Sequence, residues 1–107
     1  MPSITASSTF RIACGQTTPD DWEQYHTGFG VYVQVKTHCG KFPKTPLYFT
    51  SIAGITNHWA TTGATSIYRP TATGFTVYVR WDDGGPLSPA DAKQYGWYLN
   101  WHAILEE

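Results

Sequence analysis

Residues 73–82 read Thr73-Gly74-Phe75-Thr76-Val77-Tyr78-Val79-Arg80-Trp81-Asp82, a glycine followed by β-branched and aromatic residues. This composition predicts a β-strand, in which side chains alternate between two faces. One face then carries four large apolar side chains, those of Phe75, Val77, Val79 and Trp81. We expect that face to form core. The other face carries Thr76, Tyr78 and Arg80, which suit solvent or a partner subunit.

A weaker copy of the same pattern precedes it and reads Thr27-Gly28-Phe29-Gly30-Val31-Tyr32-Val33-Gln34-Val35. Its predicted core face carries Phe29, Val31, Val33 and Val35. Both copies therefore turn a tyrosine outward. Tyrosine and arginine are enriched in the cores of protein interfaces. The pattern predicts a subunit contact made by Tyr32, Tyr78, Arg80 and, from the last strand, Tyr98.

The composition of the 107 residues narrows the class of protein. Charged residues make up 14% and aromatic residues 16%, with ten glycines and seven prolines, which is typical of one all-β domain with many turns. A net charge of −1 and the lack of a Lys/Arg cluster argue against nucleic-acid binding. No apolar run reaches the roughly 20 residues that span a bilayer, so membrane insertion is not expected.

Strand-like segments continue along the rest of the chain. We expect strands at about 4–12, 28–36, 47–55, 61–69, 73–82 and 96–104. Cys14-Gly15 is expected to end the first strand and Pro70 to stop the fourth. Six strands without crossover helices predict an antiparallel β-sandwich or barrel that occupies residues 1–107 as one domain.

Two loops share an N-cap residue, a proline and an acid. They are Thr18-Pro19-Asp20-Asp21 and Ser88-Pro89-Ala90-Asp91. Each combination predicts a short helical turn.

Three segments, in this order, resemble the H-type lectin domain. They are P-x-x-x-x-S-I from Pro46 to Ile52, the T-G-F strand closing on Trp81-Asp82, and the aromatic strand Gly96-Trp97-Tyr98-Leu99-Asn100-Trp101-His102-Ala103-Ile104. The resemblance covers roughly residues 31–104, in a lectin-like core of about 28–105. It implies a six-stranded antiparallel β-sandwich that forms a homo-trimer or hexamer and binds galactose or N-acetylgalactosamine glycans at subunit boundaries.

The resemblance also implies a sugar site. The family uses the polar residue that follows the tryptophan of the T-G-F strand, which is Asp82 here, beside Trp81. It also uses polar residues of the loop after the first strand, matched here by Asp20 and Asp21.

Two departures from the family pattern lie next to this predicted site. Near the start of the fourth strand the family has a basic residue, whereas this chain has no arginine there and offers His58 or Trp59 instead. An inserted stretch at about 85–94 lengthens the neighbouring loop. Sugars are held by carboxylates that accept from hydroxyl groups and by aromatic rings that stack on the apolar sugar face. Asp83 and Tyr95 supply these types and complete the predicted site.

The remaining polar residues favour binding over catalysis. No nucleophile motif or metal-ligand pair is present, so we expect neither an enzyme nor a metal, and no cofactor is implied. Cys14 and Cys39 could close one disulfide or remain free.

Two functions remain open from the sequence. One is a multivalent glycan-binding lectin, and the other is an oligomeric protein-interaction or structural module on the same fold with a lost or altered sugar site. We expect an extracellular, secreted protein, with which the aromatic, charge-poor composition is compatible. Met1 to Ser8 lack the basic and apolar regions of a signal peptide, so a leader has been removed, or the protein is made without one, as in cytoplasmic storage.

Overall fold

The two T-G-F segments form neighbouring strands of one sheet in the computed structural model, which describes residues 9–107. The strands are β1 (Phe10–Gln16), β2 (Glu23–Gln24), β3 (Val31–Lys36), β4 (Leu47–Ala53), β5 (Thr61–Thr62), β6 (Tyr68–Thr71), β7 (Gly74–Trp81) and β8 (Tyr98–Glu106). The helix α1 spans Pro89–Gln94, and 3-10 turns span His38–Gly40 and His58–Ala60. The expected all-β class is confirmed.

A five-stranded sheet is built on the antiparallel pair of β3 and β7. Val31 lies opposite Val79, and Val33 lies opposite Val77. All four valines are at most 2% exposed, so the predicted alternation of core residues is correct here. β2 extends this sheet beside β3, and both β5 and β6 pair with β7 along its other edge.

Two residues of the T-G-F segments differ from the expected pattern. Phe29 is 50% exposed, because Gly28 adopts a φ of 80° in a turn before β3 begins. Thr76 was expected to face outward but is buried, since it lies between Gln34 of β3 and Tyr68 of β6 in the sheet.

The second sheet has three antiparallel strands in the order β1, β8, β4. β8 contributes Leu99, Trp101, Ala103 and Leu105 to the core shared with the first sheet. Trp97, which directly precedes β8, belongs to the same core. Trp97 is fully buried, and its indole N–H donates to the Thr56 carbonyl at 2.8 Å. Trp22 donates to the Trp97 carbonyl at 2.9 Å, so both indoles are core residues with satisfied N–H groups.

The first strand differs from its expected limits. It continues to Gln16, so Cys14 and Gly15 lie inside it rather than ending it. A Cβ at Gly15 would meet the Trp101 indole nitrogen at 2.8 Å, which explains a glycine within this strand. The earlier part of the predicted strand, residues 4–8, lies outside the described residues.

The fourth predicted strand is divided in two. β5 ends before Gly63, whose φ of 101° turns the chain, and β6 begins at Tyr68. Pro70 does not stop the strand but lies within β6, an edge strand in which a missing N–H is tolerated. The described residues therefore form eight strands rather than six, two of them only two residues long.

The two capped loops have different outcomes. Ser88 caps α1 with a complete capping box, in which the Asp91 N–H donates to Ser88 Oγ and the Ser88 N–H donates to the Asp91 carboxylate. The segment at Thr18 forms a single turn and no helix, although the Thr18 N–H similarly donates to Asp21 Oδ2 at 2.8 Å.

Cys14 and Cys39 are free, exposed thiols, so no disulfide joins them. Within residues 9–107, no helix has the length and apolar character that crossing a membrane requires.

Candidate functional site

The end of β7 lies against the 3-10 turn that carries Trp59. The Asp82 N–H donates to the Ala60 carbonyl at 2.9 Å, and Thr61 pairs with Trp81. The turn is held by the Thr61 hydroxyl, which donates to the His58 carbonyl at 2.6 Å. Trp59 is 87% exposed. The structure therefore fixes the backbone of an exposed indole beside that of Asp82.

The four predicted acids of the site differ in what their carboxylates contact. Asp20 Oδ1 pairs with Lys93 Nζ at 2.9 Å and raises the pKa of that lysine by hydrogen bonding and charge. Asp21 accepts from Thr18, and Asp83 accepts from the Gly85 N–H at 2.8 Å. Asp82 is exposed, and its carboxylate has no partner among residues 9–107. Among the four, Asp82 is the one whose two carboxylate oxygens are both without a described contact.

Trp81, the residue before Asp82, belongs to a cluster of three aromatic rings. The Trp81 ring packs edge-on against Trp97, with centroids 5.3 Å apart, and Tyr95 packs on Trp97 at 5.5 Å. The Trp81 indole N–H donates to the Pro86 carbonyl at 3.0 Å. Trp81 and Tyr95, both predicted site residues, are thus half-buried and engaged within the protein.

The predicted residues divide into two groups. One group lies where β7 ends and consists of Trp81, Asp82, Asp83, His58 and Trp59, with the Tyr95 ring 6.0 Å from that of Trp81. Asp20 contacts α1 and Asp21 contacts its own turn, and neither has a described contact with Asp82. His58 Nδ1 is buried without a hydrogen-bond partner among the described residues.

An open groove of about 720 Å³ lies on the outward face of the five-stranded sheet. We call it the tyrosine groove, and six of its lining residues are Tyr25, Phe29, Tyr68, Arg69, Tyr78 and Arg80. Tyr78 lies at its centre. Its ring meets those of Tyr25 and Tyr68 edge-on, with centroids 5.7 and 5.1 Å apart, and that of Tyr32 at 5.6 Å.

The tyrosine groove contains positive charge and no carboxylate among its lining residues. Arg69 and Arg80 are exposed, and neither forms an ion pair within residues 9–107. Arg69 Nη1 donates to the Tyr78 hydroxyl at 3.4 Å.

Four of the six named residues of the tyrosine groove, Tyr25, Phe29, Tyr68 and Arg69, were not predicted as site residues. The sequence contained a signal for two of them, because Tyr68 and Arg69 precede a proline, and a strand with a proline belongs at a sheet edge, where side chains stay accessible.

The four residues predicted to form a subunit contact do not share one surface. Tyr32, Tyr78 and Arg80 lie on the outward face of the five-stranded sheet, whereas Tyr98 points outward from β8 in the other sheet.

The outward side of the three-stranded sheet carries a group of exposed apolar side chains. Phe10, Ile12, Leu47 and Phe49 are between 46% and 67% exposed there, and we call this surface the apolar face. Within residues 9–107, no three His, Cys, Asp or Glu side chains are grouped so as to hold a metal.

No family model matches the chain, and no curated protein matches its sequence. Among solved structures, the chain is similar to the tailspike protein gp49 from Pseudomonas phage LKA1, with a TM-score of 0.48 and 18% sequence identity. The match covers 91% of this chain and 15% of the length of that one. The strands and their pairing make the protein an all-β chain of antiparallel sheets, and its resemblance to H-type lectins stays a prediction.

Proposed function

We propose that this protein is a non-catalytic glycan-binding module, a lectin of the H-type kind that recognises galactose or N-acetylgalactosamine. One observation carries the proposal. The carboxylate of Asp82 is exposed and free, and the backbone of Asp82 is hydrogen-bonded to the turn that carries the exposed Trp59. A carboxylate accepts from two neighbouring sugar hydroxyls, and an indole packs on the apolar side of a pyranose ring.

Binding, rather than hydrolysis, fits this arrangement. A glycosidase places two carboxyl groups on either side of the scissile bond, commonly about 5–9.5 Å apart. Next to Asp82, the carboxylate of Asp83 accepts from the Gly85 N–H in its own turn. One free carboxylate beside an exposed indole can hold a sugar but cannot supply both the acid and the base.

A site this exposed binds one sugar weakly, so the proposal includes self-association into a trimer or hexamer. Several weak sites on one assembly gain avidity of about 10²–10⁴ when they engage one glycan surface. The apolar face is the surface that we propose for this contact, because it leaves both the Asp82 loop and the tyrosine groove open to solvent.

A second candidate function is a self-assembling structural module that binds no sugar. The apolar face favours it, since Ile12, Leu47 and Phe49 are each more than half exposed. Exposed apolar surface of this kind marks interaction sites whether or not a ligand is also bound.

The test is a glycan array on the purified protein, with free galactose and N-acetylgalactosamine as competitors. We expect selective, competable binding that falls at least tenfold in Asp82→Asn and in Trp59→Ala. Both side chains are exposed, so the free energy of unfolding should change by no more than about 0.5 kcal/mol.

The matched control is Glu23→Gln, which removes another exposed carboxylate without a described partner. It should bind like the unaltered protein. Unchanged binding by Asp82→Asn would mean that the site lies elsewhere. A blank array from an oligomeric protein would favour the structural module instead.

A further inference from the structure

We infer that the tyrosine groove is a second ligand site, and that its ligand is an acidic glycan whose sugars carry carboxylate groups. This inference goes beyond the proposed function, because the groove does not include Asp82 or Trp59. It also gives the outward residues Tyr78 and Arg80 a role in ligand binding rather than in a subunit contact.

The shape and lining of the groove fit a chain of sugar rings. Its volume of about 720 Å³ lies within the range usual for small-molecule sites, about 300–1,000 Å³. Tyr68 and Phe29 are each 50% exposed, so their rings are accessible for stacking. Rigid aromatic side chains lose little conformational entropy on binding.

The charge of the groove selects an anion. Arg69 and Arg80 are both exposed and unpaired within residues 9–107, whereas Arg11 pairs with Glu107 and Lys93 pairs with Asp20. The lining of the groove is therefore positively charged, whereas the whole chain has a net charge of −1. A guanidinium binds a carboxylate through two parallel hydrogen bonds, which makes arginine the residue suited to this ligand group.

The backbone brings the Gly63 segment close to β7 and places Arg69 against the central tyrosine of the groove. Gly63 has a φ of 101°, and a Cβ there would lie 2.3 Å from the Tyr78 carbonyl oxygen, so β7 and this segment approach closely. Arg69 has a φ of 51°, which residues other than glycine seldom adopt, and its guanidinium donates to the Tyr78 hydroxyl. The arginine and the central ring are thus positioned together.

An acidic glycan fits these features better than a nucleic acid does. Nucleic-acid binding requires a basic surface that neutralises many phosphates, and this groove offers two arginines on an acidic chain. A polyuronate chain instead alternates ring faces with single carboxylates, which matches aromatic rings interspersed with isolated guanidinium groups.

The experiment is calorimetric titration of the Asp82→Asn variant, which lacks the carboxylate of the proposed galactose site, with tetragalacturonate and with the neutral galactotetraose as the uncharged comparison. We expect tetragalacturonate to bind at least tenfold more tightly than galactotetraose. Arg69→Gln and Arg80→Gln should each weaken tetragalacturonate binding at least tenfold. Tyr78→Phe keeps the ring but removes the hydroxyl that Arg69 contacts, and it should weaken binding several-fold.

Two controls separate this site from general charge effects and from the Asp82 site. Lys44→Gln removes an exposed cation outside the groove and changes the net charge equally, and it should leave binding unchanged. The Asp82→Asn background removes the proposed galactose site from every titration, so failure of the lectin proposal would not affect this result.

Four outcomes would overturn the inference. The first is equal weakening by Lys44→Gln, which indicates unspecific attraction, and the second is equal binding of galactotetraose or of duplex DNA. The third is a loss of oligomer mass in Arg80→Gln, measured by light scattering, which would make the groove a subunit contact. An absence of tetragalacturonate binding at millimolar concentration would also contradict it.

Discussion

At the scale of single residues, Gly63 is the position where the backbone tolerates least change. Its φ is 101°, and an added Cβ would lie 2.3 Å from the Tyr78 carbonyl oxygen. We expect Gly63→Ala to lower the free energy of unfolding by about 3 kcal/mol, since an unfavourable φ and a clash with backbone add together. Urea denaturation followed by fluorescence measures the change.

Gly84 is the matched control for Gly63. Its φ of 75° is also positive, but an added Cβ would have no neighbour within 4 Å. Gly84→Ala should therefore lower the free energy of unfolding by only about 1 kcal/mol, because the positive φ is unfavourable for alanine but no clash is added. Equal losses from the two substitutions would show that the segment at Gly63 can move away from β7, which would contradict the close approach described above.

Residue-level prediction from the sequence worked where a residue type has one physical role. The alternating valines of β3 and β7 had to be core, and they are. The acids could not be separated in this way, because a carboxylate in a loop either caps a turn or faces a ligand. Only the hydrogen bonds made by Asp21 and Asp83 distinguish these two acids from Asp82.

At the scale of secondary-structure elements, the capping box of α1 can be tested directly. Ser88 Oγ accepts from the Asp91 N–H at 3.2 Å, and Ala92 of this helix is fully buried. We expect Ser88→Ala to lower the free energy of unfolding by about 1 kcal/mol, because the Asp91 N–H loses its acceptor. Denaturation in urea gives the value.

Ser66→Ala controls for the loss of a serine hydroxyl as such. Ser66 is exposed and its hydroxyl has no described hydrogen bond, so the change should stay within about 0.5 kcal/mol. If Ser88→Ala had an equally small effect, then α1 would be held by the packing of Leu87 and Ala92 and not by its cap.

The bounds of a strand or helix could be predicted from the sequence where several local signals agreed. They were harder to predict where a contact between distant segments determines where the element ends. The proline, serine and acid of α1 predicted its start, and the alternation in β8 predicted a strand. β1 continues through Gly15, and the Trp101 ring occupies the space of a side chain there, a contact that no local pattern records. The division of the fourth strand depends on Gly63 meeting β7, a contact equally invisible in the local sequence.

At the scale of the whole molecule, the two sheets present different outer surfaces. The five-stranded sheet carries the polar, aromatic tyrosine groove, and the three-stranded sheet carries the apolar face. On the apolar face, Ile12, Ile104 and Leu47 lie side by side across β1, β8 and β4. This division allows one face to bind a second copy of the chain while the other binds a ligand.

Self-association should therefore depend on the row of Ile12, Ile104 and Leu47 on the apolar face. We expect light scattering to show an oligomer of the 12.0 kDa chain, and Ile12→Lys or Leu47→Lys to reduce its mass towards that of one chain. The physical reason is that an interface would have to bury the introduced ammonium group without a partner, at a cost of several kcal/mol. Ile12 and Leu47 are 66% and 67% exposed, so the monomer should fold normally.

Ile55→Lys provides the control for an added lysine on an exposed isoleucine. Ile55 is 81% exposed, lies in the loop after β4 and does not belong to the apolar face. Its substitution should leave the oligomer intact. A mass that stays unchanged in Ile12→Lys and falls in Ile55→Lys would move the subunit contact to the loop end, next to Trp59. Avidity would then arise from sugar sites built between subunits rather than from sites carried on separate outer surfaces.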